Sequence, residues 1–301
     1  MYCMPEARSL SKSAPAKINL TLSVRGRRPD GFHEIESWVV KLDWGDVLTA
    51  SAAPELDLTV SGAIAGVPVD ATNLVLRAAR RLKEFTGYGG GAALRLEKVI
   101  PPGGGLGGGS SDAAAALSAL NELWGLNRPA EKLASIGAEL GSDIPLFFYG
   151  PSVIIRGRGE EVSTGPELGS RWVALVIPPY SVATADVYRR FSELTTGGPA
   201  RRATSAQGTN SITGRDLKPM RADDIMRILH NDLELPAFDC EPRLGDLHAI
   251  LDPLDGKTVR MTGSGSCLFT LFDAREDAER WRDAAIARLD PGVRIEVAPT
   301  L

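Results

Sequence analysis

Apolar and polar residues alternate from Ser13 to Val24, with Ile18, Leu20, Leu22 and Val24 on one side and Lys17, Asn19, Thr21 and Ser23 on the other. A period of two predicts a half-buried strand. Arg25 to Phe32 then carries turn residues in Pro29-Asp30-Gly31, and a second apolar run passes through Trp38, Val39 and Val40. Short strand-like runs fill Asp43 to Val60, broken at Pro54. At Asn73 the period lengthens: Leu74, Val75, Ala78, Ala79 and Leu82 share one helical face, and Arg77, Arg80 and Arg81 point away from it. The arginine cluster reads as a solvated face rather than a binding patch. Leu94, Leu96 and Ile100 predict a strand that leads into a run of glycines.

That run organises the chain. Six of the seven residues from Gly103 to Gly109 are glycine, so the backbone can lie close against another group. After it, Ala113, Ala116, Leu117, Leu120, Leu123 and Trp124 recur at helical spacing. Ser110, Ser111 and Asp112 are typical helix N-terminal residues, and Gly125 with Pro129 supplies the stop. A glycine loop feeding a helix N-terminus gathers free N–H groups and the positive end of the helix dipole, which favours a phosphate.

The second half repeats the mixture. A helix follows Ala130 through Leu133, Ile136 and Leu140 and ends near Gly141, and strands are expected at Ser152–Arg156 and Val173–Ile177. Helical spacing returns at Ile225, Met226, Ile228 and Leu229 and at Leu244, Leu247, Ile250 and Leu251. Thr258–Thr262 and Cys267–Phe272 read as strands around a second glycine loop, Gly263-Ser264-Gly265-Ser266. A last helix through Ala278, Trp281, Ala285, Ile286 and Leu289 precedes a strand at Val293, Ile295 and Val297. The fold class is therefore α+β. The pattern breaks at Ser163–Ser170, giving residues 1–165 as an N-terminal domain with the glycine loop and 166–301 as a C-terminal α+β domain. Leu194 to Arg215 is polar and reads as a surface loop or insertion.

Composition narrows the partners. The 301 residues suit two domains, and 34 Lys+Arg against 38 Asp+Glu give a net charge of −4, with no global attraction to nucleic acid or acidic membranes. Cys3, Cys240 and Cys267 are too scattered for a disulfide framework or a zinc site, and three histidines form no ligand cluster. No stretch approaches the roughly 18 apolar residues of a membrane span, and the N-terminal residues lack an apolar leader core. The expectation is a soluble, unprocessed, cytoplasmic protein with a small-molecule substrate.

Which phosphate chemistry follows is limited by what the loop lacks. The P-loop pattern needs a lysine after its last glycine, and Gly103 to Ser111 contains none. The dinucleotide fingerprint needs an acidic residue about 20 positions on in a second strand, and that is missing. A glycine run alone could be a flexible turn. Loop, two hydroxyls and alanine-rich helix together point to phosphate binding over Pro101, Pro102, Gly103, Gly104, Gly105, Leu106, Gly107, Gly108, Gly109, Ser110 and Ser111.

Pro102 to Ala114 resembles the phosphate loop of the small-molecule kinases named after galactokinase, homoserine kinase, mevalonate kinase and phosphomevalonate kinase. Pro15–Leu20, Arg28–His33, Gly141–Phe147 and Met261–Phe269 resemble, within that superfamily, the kinases of 4-diphosphocytidyl-2-C-methyl-D-erythritol. The resemblance spans residues 14 to 272 and implies a two-domain kinase fold with its active site in the cleft between domains. It also implies ATP as phosphoryl donor, Mg²⁺ with it, and phosphorylation of the 2-hydroxyl of a cytidyl diphosphate sugar alcohol. The protein would be a monomer or homodimer.

Carried onto this sequence, the resemblance makes Asp143 the catalytic acid–base residue and Lys17 its catalytic partner, whose charge would favour the carboxylate and stabilise the transferring phosphoryl oxygens. Asn19, Phe32, His33 and Tyr188 would contact the substrate, with Phe32 and Tyr188 enclosing the cytosine ring and His33 reading its edge. Gly263, Ser264 and Gly265 would close on phosphate through backbone N–H groups. Ser111 is the candidate metal ligand. Taken singly, Asp143 would be a capping residue, Lys17 a solvated lysine, Asn19 an exposed polar position, the aromatics core and Gly263–Ser266 a tight turn. Phe32 stands where the family more often has tyrosine, Ser142 where it has alanine, and residues 190–220 match nothing in the family. Other readings stay open: a homoserine or mevalonate kinase of the same superfamily, or a catalytically silent nucleotide-binding protein.

Overall fold

The alternation that opens the chain produces two long strands, β1 (Ser9–Arg27) and β2 (His33–Ala53), joined across the Pro29-Asp30-Gly31 turn. The computed structural model describes residues 9–64, 66–196 and 217–301. Its elements continue with β3 (Leu56–Gly62), α1 (Leu74–Thr86), β4 (Gly91–Lys98), α2 (Gly108–Leu123), α3 (Ala130–Ala138), β5 (Ser152–Gly157), β6 (Glu161–Thr164), β7 (Trp172–Ile177) and α4 (Thr184–Thr196). They end with α5 (Ala222–Ile228), β8 (His230–Asn231), α6 (Glu234–Cys240), α7 (Pro242–Leu251), β9 (Arg260–Met261), β10 (Leu268–Phe272), α8 (Arg275–Ile286) and β11 (Arg294–Pro299). The fold is α+β. Contacts divide the chain into one unit of Met1–Ala16, Gly45–Pro101 and Gly107–Gly150 and another of Lys17–Trp44, Pro102–Leu106 and Pro151–Leu301. Both units are discontinuous in sequence.

In the first unit β4 lies between β3, parallel to it from Leu56↔Ala92 to Gly62↔Lys98, and the end of β2, antiparallel from Val47↔Glu97 to Ala53↔Gly91. Leu48, Leu58, Leu94 and Leu96 join Val75, Ala78, Ala79 and Leu82 of α1 and Leu133 and Ile136 of α3 in one core. The alanines of α2, Ala113–Ala116 and Ala119, sit in this core and are small enough for α1 to pack closely. Asn73 caps α1 by accepting the Val75 N–H at 2.8 Å, and Gly87 ends it at φ 69°, one turn beyond the predicted end at Leu82.

The second unit holds the antiparallel sheet β11-β7-β10-β9. α8 covers it, and Trp281, Phe272, Leu268 and Val176 fill the core between them. The first half of β2 pairs with β5, and β5 with β6, while Thr21 and Leu22 of β1 run parallel to β8. α4 covers Leu194–Thr196, which the sequence pattern left in a loop; the rest of that expected loop, 197–215, lies outside the described residues. Among the described residues no helix is long and apolar enough to cross a membrane.

Candidate active site

The polar side of β1 departs most from the pattern reading. Lys17, Asn19, Thr21 and Ser23 are all buried, so the strand has no solvated face over this stretch. Buried polar groups need partners, and these come from distant segments. Lys17 Nζ donates to Asn19 Oδ1 at 2.6 Å, and Asn19 Nδ2 donates to Ser37 Oγ at 2.8 Å. Ser37 Oγ donates to the Thr21 carbonyl, while Thr21 Oγ1 accepts the Trp38 N–H at 3.1 Å. Ser23 Oγ is 2.7 Å from His230 Nε2. Asn19 thus serves as the acceptor that holds the Lys17 ammonium in place.

Both glycine loops meet this strand. The Lys17 N–H donates to the Leu106 carbonyl at 3.0 Å, and the Asn19 N–H to Thr262 Oγ1 at 2.9 Å. The loops also meet each other, where the Cys267 N–H donates to the Gly104 carbonyl at 3.2 Å. A Cβ on Gly105 would stand 2.4 Å from the Thr262 carbonyl oxygen, and one on Gly104 2.6 Å from Cys267 Sγ. Part of the glycine requirement is therefore packing of one loop against the other. Asn231 holds the second loop from behind: its Nδ2 donates to the Met261 and Gly263 carbonyls at 2.9 and 2.8 Å, and its Oδ1 accepts the Leu233 N–H. Glu234 adds a bond from the Met261 N–H at 2.8 Å. Ser264 Oγ lies 2.8 Å from Thr184 Oγ1 at the start of α4. Cys267 is buried packing, its thiol pushed up to about 12 by burial.

The expected aromatic set divides. Tyr188 stacks on His33 with ring centroids 4.9 Å apart and 27° between planes, and Phe191 meets the same imidazole edge-on. Phe32 is exposed, with the Arg158 guanidinium 5.1 Å from its ring centroid. Ser192 Oγ donates to the Tyr188 carbonyl at 3.0 Å and lies 2.9 Å from His33 Nε2. With the serine proton already given, Nε2–H is the donor and Nδ1 the acceptor. Burial, and then Arg27, hold this imidazole below the ordinary histidine range.

The remaining candidates belong to the first unit. α2 starts two residues earlier than its apolar pattern allows: Gly107 is the N-cap at φ 70°, and Gly108 and Gly109 are helical. Ser110, Ser111 and Asp112 therefore sit inside the helix rather than capping it, and no side chain bonds the first turn. Ser111 Oγ is buried without a partner. Beneath this turn lies a charge cluster that periodicity gave no sign of. Lys98 Nζ donates to Asp46 and is 2.9 Å from Asp112 Oδ2, and Asp46 Oδ1 accepts the Val99 and Ile100 N–H groups at 2.6 and 2.9 Å. Burial pushes the Asp112 carboxyl up to about 7 against the pull of Lys98. Asp143 is half-buried in the turn between α3 and the 3₁₀ turn Pro145–Phe148. Among the described residues no group of three or more His, Cys, Asp or Glu could hold a metal ion.

Known proteins match this arrangement along most of its length. Residues 73–151 match the family described as GHMP kinases N terminal domain, and residues 217–290 the one described as GHMP kinases C terminal. A 4-diphosphocytidyl-2-C-methyl-D-erythritol kinase of Paramagnetospirillum magneticum is 39% identical over 294 residues, 97% of this chain and 99% of the relative. One of Parvibaculum lavamentivorans is 39% identical over 296 residues, 96% of this chain and 97% of the relative. A crystal structure of a 4-(cytidine 5'-diphospho)-2C-methyl-D-erythritol kinase superposes with a TM-score of 0.73 at 31% identity, covering 97% of this chain and 99% of that one. A homoserine kinase from Cytophaga hutchinsonii, 21% identical, shares the fold with a TM-score of 0.75, covering 100% of this chain and 97% of that one.

Proposed function

The chain belongs to the GHMP kinases and, within them, to the 4-diphosphocytidyl-2-C-methyl-D-erythritol kinases, and on that footing we propose that it transfers the γ-phosphoryl group of ATP to the 2-hydroxyl of that sugar alcohol on the non-mevalonate route to isoprenoids. The observation that carries the reading is the identity over nearly the whole of both chains, which the homoserine and mevalonate alternatives do not match. A cytoplasmic location agrees with that soluble chemistry.

A tertiary hydroxyl is a weak nucleophile, so a base must take its proton as the phosphoryl group arrives. Asp143 takes this role. Lys17, held by Asn19, supplies positive charge to the phosphoryl oxygens as charge builds on them. The first turn of α2, capped by a glycine and closed by no side chain, offers its amides to the donor's phosphates. Mg²⁺ bound with ATP would neutralise phosphate charge, held by phosphate oxygens and water; Ser111, with its unpartnered Oγ, is the side chain suited to join it. His33 Nδ1, left as acceptor by the Ser192 contact, would accept a hydrogen bond from the cytosine amino group, with Tyr188 and Phe32 as ring partners. The Gly263–Gly265 amides would meet the substrate's phosphates. Purified protein supplied with ATP and each alcohol tests the reading: turnover of the cytidyl substrate is expected, and turnover of homoserine or mevalonate in its place would sink it.

A further inference from the structure

The glycine loop must leave β4 and return as α2 with its two ends at a fixed separation, and the residues at both ends converge on one buried cation. Lys98 closes β4, and its Nζ lies within 2.9 Å of where a Cβ on Gly108, the first residue of α2, would stand. A side chain at Gly108 would displace it. An ammonium under a helix N-terminus opposes the helix dipole and stands only if carboxylates hold it there. Asp112, one turn into α2, holds it from the helix side at 2.9 Å, and Asp46 on β2 holds it from the strand side. The other oxygen of Asp46 accepts two successive N–H groups, Val99 and Ile100, the segment entering the loop. All three side chains are nearly inaccessible, at 5%, 0% and 4% exposure for Lys98, Asp46 and Asp112. The side chains of α1 and α3 in the same core are apolar, Val75, Ala78, Leu82, Leu133 and Ile136 among them, so nothing there substitutes for either carboxylate.

We propose that Asp46 and Asp112 are positioning residues for the nucleotide: through Lys98 they clamp the strand that enters the glycine loop to the helix that leaves it, and so set where the first-turn amides of α2 meet phosphate. This deepens the kinase reading and rests on it. Asp46→Asn leaves one amide oxygen where two carboxylate oxygens accept, Lys98 on one and the Val99 and Ile100 N–H groups on the other, and turns an NH₂ donor toward one of those donors, whereas Asp112→Asn keeps the single oxygen that Lys98 uses.

The test is steady-state kinetics on folded variants, with amide hydrogen exchange alongside. Asp46→Asn is expected to raise KM for ATP by about tenfold or more, with KM for the alcohol substrate shifted less than about threefold. Asp112→Ala should give the same split, and Asp112→Asn should recover most of it. Exchange should speed up over residues 99–112 ahead of the rest of the chain. If Asp46→Asn does not fold, Asp112→Ala against Asp112→Asn carries the comparison. Unchanged KM for ATP, or equal rises in both KM values, overturns the clamp. Should the wild-type protein transfer no phosphate from ATP, the kinase reading fails instead, and uniform exchange in the variants would then overturn the clamp on its own.

Discussion

Alanine at Gly105 puts a methyl group where the two glycine loops touch. The residue has φ +76°, and its Cβ would stand 2.4 Å from the Thr262 carbonyl oxygen. Backbone cannot swing aside as a side chain can, so reaching an ordinary 3.4 Å contact requires one loop to move by about 1 Å. The left-handed conformation costs about 1–2 kcal/mol and the overpacking about 1–3 kcal/mol, for a total of about 2–5 kcal/mol. Gly87→Ala isolates the first cost, because Gly87 has φ +69° with nothing within 4 Å of its Cβ position. Urea unfolding is expected to show Gly87→Ala about 1–2 kcal/mol less stable with kcat/KM intact. Gly105→Ala should be less stable again and lose kcat/KM for ATP by about 10²-fold, the usual effect of an ångström of misplacement. Equal stability loss in the two variants with unchanged kinetics in both would refute the idea that the loops brace each other.

Asn231→Ala removes the amide that donates to the Met261 and Gly263 carbonyls and accepts the Leu233 N–H, and three groups left without this partner are expected to cost about 3 kcal/mol or more in urea unfolding; a cost under about 0.5 kcal/mol would deny it the anchoring role. An alkylating thiol reagent near pH 8 is expected to label exposed Cys240 and leave Cys267 untouched, as read by peptide mass, since the latter's thiol is buried and pushed up to about 12; labelling of Cys267 in folded protein would contradict its burial. Burial holds His230 below the ordinary histidine value of 6.5, although Asp232 pulls the other way. The unfolded chain therefore takes up that proton first, and the stability at stake is lost as pH falls below about 6.5. His230→Gln is expected to flatten the fall of the urea midpoint between about pH 7 and about pH 5, and an unaltered slope would remove His230 from the acid response.

Much of this was readable from residue order, and what was not has a common physical cause. The apolar period of 3.6 from Leu74 gave α1, though not its Asn73 cap, and the glycine run gave the strand, loop and helix order around Gly103 to Trp124. Local patterns fail where partners are far away. Alternation in β1 reads as one wet face because the groups that pair with Asn19 and Ser23, namely Thr262, Ser37 and His230, come from other segments. The same is true of Asp46, Lys98 and Asp112, which share no period. Gly108 and Gly109 look like loop because glycine is a poor helix former, yet Lys98 and Ile100 leave no room for a side chain at Gly108. α4 escapes the pattern because its stretch from Thr184 to Phe191 buries only a narrow stripe, Val187 and Phe191.

In the proposed reaction this chain moves a phosphoryl group onto the cytidyl alcohol with Asp143 as the proton acceptor. Asp143→Asn, assayed with ATP and that alcohol, tests it most directly. A fall in kcat by about 10² or more, with KM for ATP held within about twofold, is the expected result. A variant that turns over at the wild-type rate would contradict the account.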